Sequence, residues 1–311
     1  IISNPKTIFS QNEKYILDQY ELSGGKILWL VNGIRIDRDS LFKNSGETIS
    51  FPQELNLNDY LFKKGIKVQN ILIQDLYCAP IVLANNNENN TQYVPYPWVY
   101  YPLPKPEITS IGINIGPVLI QFASPIDTLS NRLKKTLLLK SSKFTKTLAA
   151  LSTVKLEDAT KKINPISFRE SSKAVGYLIQ GNQNSLFYNR IKPFKNEKHL
   201  NKGETEMIFY SDGNLAENQN EKGNPLALGY DKWTNNFYAN RDLIMNSIHF
   251  LAGNKDRLTT RNKSMKLAVL DIKKIKENAI FWKWFIFLGS IFIVFSISLI
   301  NQVMRSKHLV K

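Results

Sequence analysis

The chain contains 311 residues, of which 43% are hydrophobic and 22% are charged, so its composition is that of a folded protein rather than a disordered one. Its formal net charge of +15 comes mostly from lysines spread along the chain, without the zinc-finger spacing, RNP-type strand or basic helix of nucleic-acid-binding proteins. The single cysteine, Cys78, excludes an internal disulfide.

The first third of the sequence alternates between strand and helix patterns. It opens on the apolar pair Ile1-Ile2, which resembles the end of a strand, and we therefore expect a C-terminal piece of a longer protein. Ser10 and Glu13 predict a capping box at a helix start, and Gly24-Gly25 predict its end. Further predicted elements are a strand at 26–31, a helix at 57–64 and a strand at 66–76. This alternation predicts an α/β sheet.

The middle of the chain is less regular. Asn-rich residues 85–90 predict a turn, and the proline-rich and aromatic residues 93–106 predict a loop or extended segment rather than a helix or central strand. The aromatic side chains there would form either a contact surface or an apolar lid. Further strands are predicted at 118–122, 136–139, 174–180 and 207–210, a helix at 242–251 and a last apolar run at 267–270. We expect one α/β domain over 1–265, with two possible lobes dividing near 125–170.

A long apolar run lies near the end of the sequence. Residues 285–300 carry no charge, and aromatic residues and Lys283 flank them, which predicts a transmembrane helix over 280–304 rather than a buried core helix. Residues 266–279 would be a juxtamembrane segment and 305–311 a cytoplasmic tail. The basic tail favours this orientation, whereas the lysines of 273–276 oppose it.

The sequence contains no recognisable catalytic motif. Ser23-Gly24-Gly25-Lys26 fails the phosphate-loop pattern, because Tyr20 stands where a glycine is required and Ile27 where Ser or Thr is required. Cys78 lacks the neighbouring glycines of a nucleophile elbow and is interpreted as structural. We predict no catalytic residues, no metal ligands and no cofactor.

One polar turn is a candidate for ligand binding. Asp212 and Asn214 follow the strand predicted at 207–210, and α/β sheets often bind ligands where strands end. Asn240 and Asp242, in a polar cluster further along the chain, would join them. The alternative is a turn in which the carboxylate of Asp212 caps the local backbone.

Several segments together resemble one family of membrane proteins. Residues 9–33, 45–81, 122–129 and 228–253 and the terminal apolar run, in that order, are similar to GldG, the auxiliary membrane subunit of gliding-motility-associated ABC transporters. The resemblance covers most of the chain. It implies a sheet domain similar to class I glutamine amidotransferases but without their catalytic residues, lying outside the cytoplasmic membrane. It also implies an ABC ATPase and a multi-span permease as partners.

These observations predict an auxiliary, non-enzymatic subunit of an ABC transporter linked to gliding motility. It would contact membrane lipid and its partner subunits but no nucleic acid, and its large domain would be periplasmic. The alternative is a membrane-anchored extracytoplasmic receptor for a sugar or glycan that works without a transporter. A hydrolase using Cys78 and Asp212 ranks third.

Overall fold

A computed structural model describes residues 1–87, 90–195 and 198–254, together with helical positions between 281 and 298. The chain divides into two compact units, Ile1–Lys263 and Ser264–Lys311. The predicted division of the first unit into two lobes remains a prediction. The predicted apolar run at 267–270, juxtamembrane segment at 266–279 and tail at 305–311 lie outside the described residues.

The described part of the first unit combines short helices with many strands. Its three α-helices are α1 (Gln11–Leu22), α2 (Asn58–Lys64) and α3 (Asn240–Leu251). Its strands are β1 (Ile2–Ser3), β2 (Lys26–Leu30), β3 (Ile34–Arg35), β4 (Glu47–Ile49), β5 (Phe51–Pro52), β6 (Ile66–Val68), β7 (Ile71–Asp75), β8 (Cys78–Asn87), β9 (Asn90–Pro102), β10 (Ile126–Thr128), β11 (Lys134–Lys140), β12 (Thr145–Ala149), β13 (Thr153–Lys155), β14 (Ala174–Asn184), β15 (Lys202–Tyr210), β16 (Asn220–Glu221), β17 (Asn224–Pro225), β18 (Tyr230–Asp231) and β19 (Asn236–Phe237). A π-helical turn spans Ser40–Asn44, and short 3-10 turns span Leu156–Ala159 and Pro165–Ser167.

The helix ends follow from local sequence. Ser10 and Glu13 form the predicted capping box, in which the Ser10 side chain accepts from the Glu13 N–H and the Glu13 side chain accepts from the Ser10 N–H. Gly24, just after α1, has a φ of 96°, and Gly65, at the end of α2, has a φ of 77°. Glycine adopts this left-handed conformation without the penalty that a Cβ would bring, so both helices end where the sequence predicts.

The central sheet has five strands in the order β1-β2-β15-β14-β11. β1, β2 and β15 are mutually parallel, whereas β14 and β11 are antiparallel to their neighbours. Successive side chains of a strand point to opposite faces. Leu28 and Leu30 accordingly pack on the face that α3 covers, and Ile27 and Trp29 pack on the face that α1 and α2 cover. The sheet is therefore buried between helices on both faces.

A third apolar cluster lies beside this sheet. It joins the base of the β8–β9 hairpin, through Trp98, Tyr100 and Tyr101, to Phe122 and Leu72. The segment predicted as a strand at 118–122 is not one of the strands of the structure, although its amides at Val118, Ile120 and Phe122 donate to carbonyls of residues 104, 102 and 100. The hairpin base is thus fixed to the domain, while Tyr93, further out on β9, is 69% exposed.

Two parts of the predicted architecture are wrong. The structure has a mixed five-stranded sheet and seven two-stranded ladders among the described residues, in place of an amidotransferase-like sheet domain followed by a transmembrane helix. Local strand and helix patterns do not specify which strands pair at long range, and this pairing decides the architecture.

The transmembrane helix predicted over 280–304 is also corrected. No helix among the described residues is long and apolar enough to cross a membrane. An apolar run is necessary for a span, but a span also requires about 20 residues of helix. Several positions of the predicted span lie outside the described residues.

Candidate functional site

The candidate site lies where the three parallel strands of the central sheet end. Asn4 follows β1, Asn32 lies two residues beyond β2, and Asp212 lies two residues beyond β15. Because parallel strands present their carboxyl ends at one edge, these three side chains come from distant sequence to the same region. The placement predicted for Asp212, at the carboxyl end of a strand, is confirmed.

Asparagine side chains connect the three strand ends. The Asn4 Nδ2 group donates to Asn214 Oδ1 at 3.1 Å, and Asn32 Nδ2 donates to Asn4 Oδ1 at 3.4 Å. The Gly213 N–H donates to Asn32 Oδ1 at 2.7 Å, and Ser3 Oγ donates to the Gly213 carbonyl at 3.2 Å. Asn214 is therefore part of a network that holds the turn after β15 against the ends of β1 and β2.

The carboxylate of Asp212 is buried and hydrogen bonded to backbone. Its Oδ1 accepts from the Asn214 N–H at 2.7 Å, and its Oδ2 accepts from the Gln121 N–H at 2.8 Å. Desolvation by burial raises the pKa of Asp212 to about 7, although these two hydrogen bonds oppose the shift. The alternative interpretation of a backbone-capping turn is thus present in the structure, and the same carboxylate also fixes the segment at Gln121.

Asn240, the second buried candidate, has a similar structural role. Its Oδ1 accepts from the Leu119 N–H at 2.9 Å, and its Nδ2 donates to the carbonyls of Leu119 and Leu215 at 2.8 and 3.2 Å. Asp242 is exposed in the first turn of α3. Asp212 and Asn240 therefore hold the same segment, residues 119–121, from two elements, and Asp242 lies on the exposed surface of α3.

Charged residues surround the asparagine network. Lys6 Nζ donates to Asn4 Oδ1 at 2.7 Å, and Arg38 forms an ion pair with Glu217. Desolvation lowers the pKa of Lys6, as do the positive charges of Arg38 and Arg35, while Glu217 opposes them. The charged neighbours of the asparagine network are therefore three cations, Lys6, Arg35 and Arg38, and one carboxylate, Glu217.

Two of these cations, Lys6 and Arg35, line a groove on the surface of the first unit. It has a volume of about 860 Å³, and its lining includes Lys6, Arg35, Asp37, Phe51 and Lys155. The guanidinium carbon of Arg35 lies 5.7 Å from the centre of the Phe51 ring. The groove thus presents cations and one aromatic face to solvent.

Sequence reasoning missed Asn4, Asn32, Lys6, Arg35 and Arg38. Asn4 and Asn32 follow apolar strands just as Asp212 does, so the rule that singled out Asp212 applies equally to them. The cations Lys6, Arg35 and Arg38 have no comparable signal in the sequence, because lysine and arginine occur along the whole chain. Their grouping becomes visible only in the folded structure.

Cys78 lies at the start of β8 and is half-buried. Burial raises the pKa of its thiol to about 11, with a further contribution from the charge of Asp75. Since the thiolate is the reactive form, this environment makes the sulfur a poor nucleophile at neutral pH. Among the described residues, no three His, Cys, Asp or Glu side chains are grouped so that they could hold a metal ion.

The fold and this site define a mixed α/β domain in which polar side chains at the strand ends chiefly fix backbone segments. A family model described as an ABC-type uncharacterized transport system matches residues 1–247. The chain belongs to this family, and it is an auxiliary component of an ABC-type transport system. Comparison with curated proteins and with solved structures gave no match.

The family confirms the coarser part of the resemblance stated above, an auxiliary subunit of an ABC transport system. It also places the protein in the context of a membrane transport system.

Proposed function

We propose that this protein is a non-enzymatic auxiliary subunit of an ABC transporter associated with gliding motility. It works at the cytoplasmic membrane with its α/β region on the periplasmic side, in contact with lipid. An ABC ATPase and a multi-span permease complete the complex. The observation that carries the proposal is the family match over 1–247, which includes the central sheet, the hairpin and most of α3.

The chemistry of the strongest catalytic candidates supports a role without catalysis. Both carboxylate oxygens of Asp212 accept backbone hydrogen bonds, so this group is occupied in holding the fold. The raised pKa of Cys78 disfavours its nucleophilic form. ATP hydrolysis would then belong to the separate ATPase subunit.

The β8–β9 hairpin supports a role in contacting a partner. β9 has 13 residues, which corresponds to about 43 Å at roughly 3.3 Å per residue. Its base is buried through Trp98, whereas Tyr93 and Pro95 are exposed further out. Between Asp75 and Lys105 the sequence contains one charged residue, Glu88, so the hairpin is an almost uncharged extension of a basic protein.

Co-purification in mild detergent tests the proposal directly. The tagged full chain should recover an ABC ATPase and a multi-span permease in fixed ratio, with ATP hydrolysis that a Walker-lysine variant of the ATPase abolishes. In the organism that encodes the chain, deletion of its gene should abolish spreading on surfaces. Cys78→Ser and Asp242→Asn should each restore spreading.

Three outcomes would contradict all or part of the proposal. Recovery of the chain without either transporter subunit would contradict the proposed complex with an ATPase and a permease. Loss of spreading in Cys78→Ser at normal protein level would indicate chemistry at the thiol. Recovery of both subunits with normal spreading in the deletion strain would retain the transporter role and remove the link to gliding.

The alternative, a sugar receptor without a transporter, has less support from the described residues. It relied on the turn at Asp212–Asn214 together with the aromatic segment at 93–101. Trp98, Tyr100 and Tyr101 are buried in the third apolar cluster, and Tyr93 is the most exposed aromatic side chain of this stretch.

A further inference from the structure

The groove beside the strand ends contains two cations without an ionic partner among the described residues. Lys6 contacts the neutral amide oxygen of Asn4 at 2.7 Å, and Arg35 lies over the ring of Phe51 at 5.7 Å. Both side chains line the same cavity of about 860 Å³. Lys6 and Arg35 therefore line a common space, and neither forms an ion pair with a carboxylate among the described residues.

The acidic side chains of the same groove are already occupied. Glu47 forms an ion pair with Lys155 at 2.9 Å. Asp37 accepts hydrogen bonds from the backbone N–H groups of Asp39 and Ser40 and from the Ser40 hydroxyl at 2.6 Å. Among the described residues, neither carboxylate forms an ion pair with Lys6 or Arg35.

The electrostatic environment of Lys6 agrees with this geometry. Desolvation and the nearby charges of Arg38 and Arg35 lower its pKa, against the attraction of Glu217. Glu217 is itself paired with Arg38. Lys6 is thus repelled by two neighbouring cations, Arg35 and Arg38, and an anion beside Lys6 would relieve this repulsion.

We propose that this groove binds a small ligand through an oxyanion, a carboxylate or a phosphate, held between Lys6 and Arg35. The guanidinium of arginine matches both groups with two parallel N–H donors, and in Arg35 it lies over the ring of Phe51. Lys6 adds a compact charge whose position is set by Asn4. The cargo or regulator of the transport system would carry such a group.

Two sources can present this oxyanion, a free small molecule and the headgroup of an anionic lipid. Isothermal titration calorimetry of the full chain in neutral detergent with inorganic phosphate and with D-glucuronate tests the free source. D-glucose is the uncharged control. Co-sedimentation with vesicles of phosphatidylglycerol and phosphatidylcholine, compared with phosphatidylcholine alone, tests the lipid source.

The variants Lys6→Gln and Arg35→Gln should each weaken binding of the active probe at least tenfold. Lys67→Gln and Arg132→Gln are matched controls, since both residues are exposed and lie outside the groove lining. They should leave affinity within twofold. Both groove residues are also exposed, so thermal unfolding of all four variants should match the wild type and exclude misfolding as the cause.

Saturable binding of phosphate, glucuronate or anionic vesicles that Lys6→Gln and Arg35→Gln weaken selectively supports the proposal and identifies the source. Absence of saturable binding to every probe overturns it, and so does an equal loss in the two control variants. These results are independent of the assigned partner subunits, because co-purification of the ATPase and permease does not require the groove to be occupied.

Discussion

A buried ion pair is the most consequential polar contact outside the candidate site. Lys64 on α2 contacts Glu21 on α1, and both side chains are almost completely inaccessible to solvent. Lys64 Nζ also lies 4.9 Å from the centre of the Tyr60 ring. Desolvation raises the pKa of Glu21, although Lys64 opposes the shift. The pair therefore connects two helices on one face of the sheet at a considerable desolvation cost.

Removing one partner of this pair should destabilise the fold strongly. In Lys64→Met the carboxylate of Glu21 stays buried without its cation, and loss of one partner of a buried pair typically costs about 3–5 kcal/mol. Urea denaturation of the domain should show this loss. The double variant Glu21→Gln/Lys64→Met should recover part of it, because no lone charge remains. Lys67→Met, on an exposed side chain, should change stability by less than about 0.5 kcal/mol. Equal stability of the single and double variants would contradict this account.

Asp212 should make the stability of the protein depend on pH. Its pKa in the folded state is raised to about 7 from a usual value of 3.8, so the folded protein keeps this proton where the unfolded chain releases it. Stability should therefore fall as pH rises from about 4 to about 7, by a few kcal/mol at most, since one pKa unit corresponds to about 1.4 kcal/mol.

Urea denaturation at a series of pH values between 4.5 and 7.5 measures this effect. In Asp212→Asn the titrating group is absent, so the decline should be shallower than in the wild type. The exposed Asp242→Asn should retain the wild-type decline. Parallel pH profiles for the wild type and Asp212→Asn would show that Asp212 is ionised throughout this range.

At the level of single residues, the sequence predicted local roles better than shared sites. The capping pair Ser10 and Glu13 and the turn at Asp212 follow rules that act within a few residues, and both are present. The proposed grouping of Asp212 with Asn240 depended on distant contacts. The structure links these two through the segment at 119–121, which they hold from different sides.

At the scale of elements, helices with capping signals and apolar strands were predictable. The predicted strand at 66–76 is divided into β6 and β7, which pair with different partners, β10 and β12. The prolines of 93–106 led to a prediction of a loop or extended segment. Asn90–Pro102 is a long strand of a two-stranded hairpin, where Pro95 and Pro97 pair opposite Val82 and Pro80. Proline is tolerated in such a ribbon because a strand there has a free edge that needs no N–H donor.

At the scale of the whole molecule, the local sequence patterns did not predict which strands pair to form the central sheet. The early strand and helix alternation correctly indicated an α/β domain, since β1, β2 and β15 are parallel. However, β15 lies more than 170 residues after β2, and the antiparallel addition of β14 and β11 has no local signature. Long-range pairing therefore decides the sheet order, and the family match rather than strand pattern identifies the transport system.

The distribution of charge over the whole molecule leads to a final prediction about how the subunit is held. The net charge is +15, yet the β8–β9 hairpin is almost uncharged. The Debye screening length falls from about 8 Å at 0.15 M salt to about 3 Å at 1 M. Contacts through the basic surface should therefore weaken at high salt, while contacts through the hairpin should persist. Transporter subunits bound through the hairpin should stay associated at 1 M NaCl.

Tyr93→Lys should reduce the recovery of these subunits at least fivefold, because a cation would be desolvated in an uncharged contact. Tyr188→Lys is the matched control, since Tyr188 is also an exposed tyrosine at 53% against 69% for Tyr93. Release of the partners by salt alone, with both variants behaving alike, would place the contact on the basic surface instead.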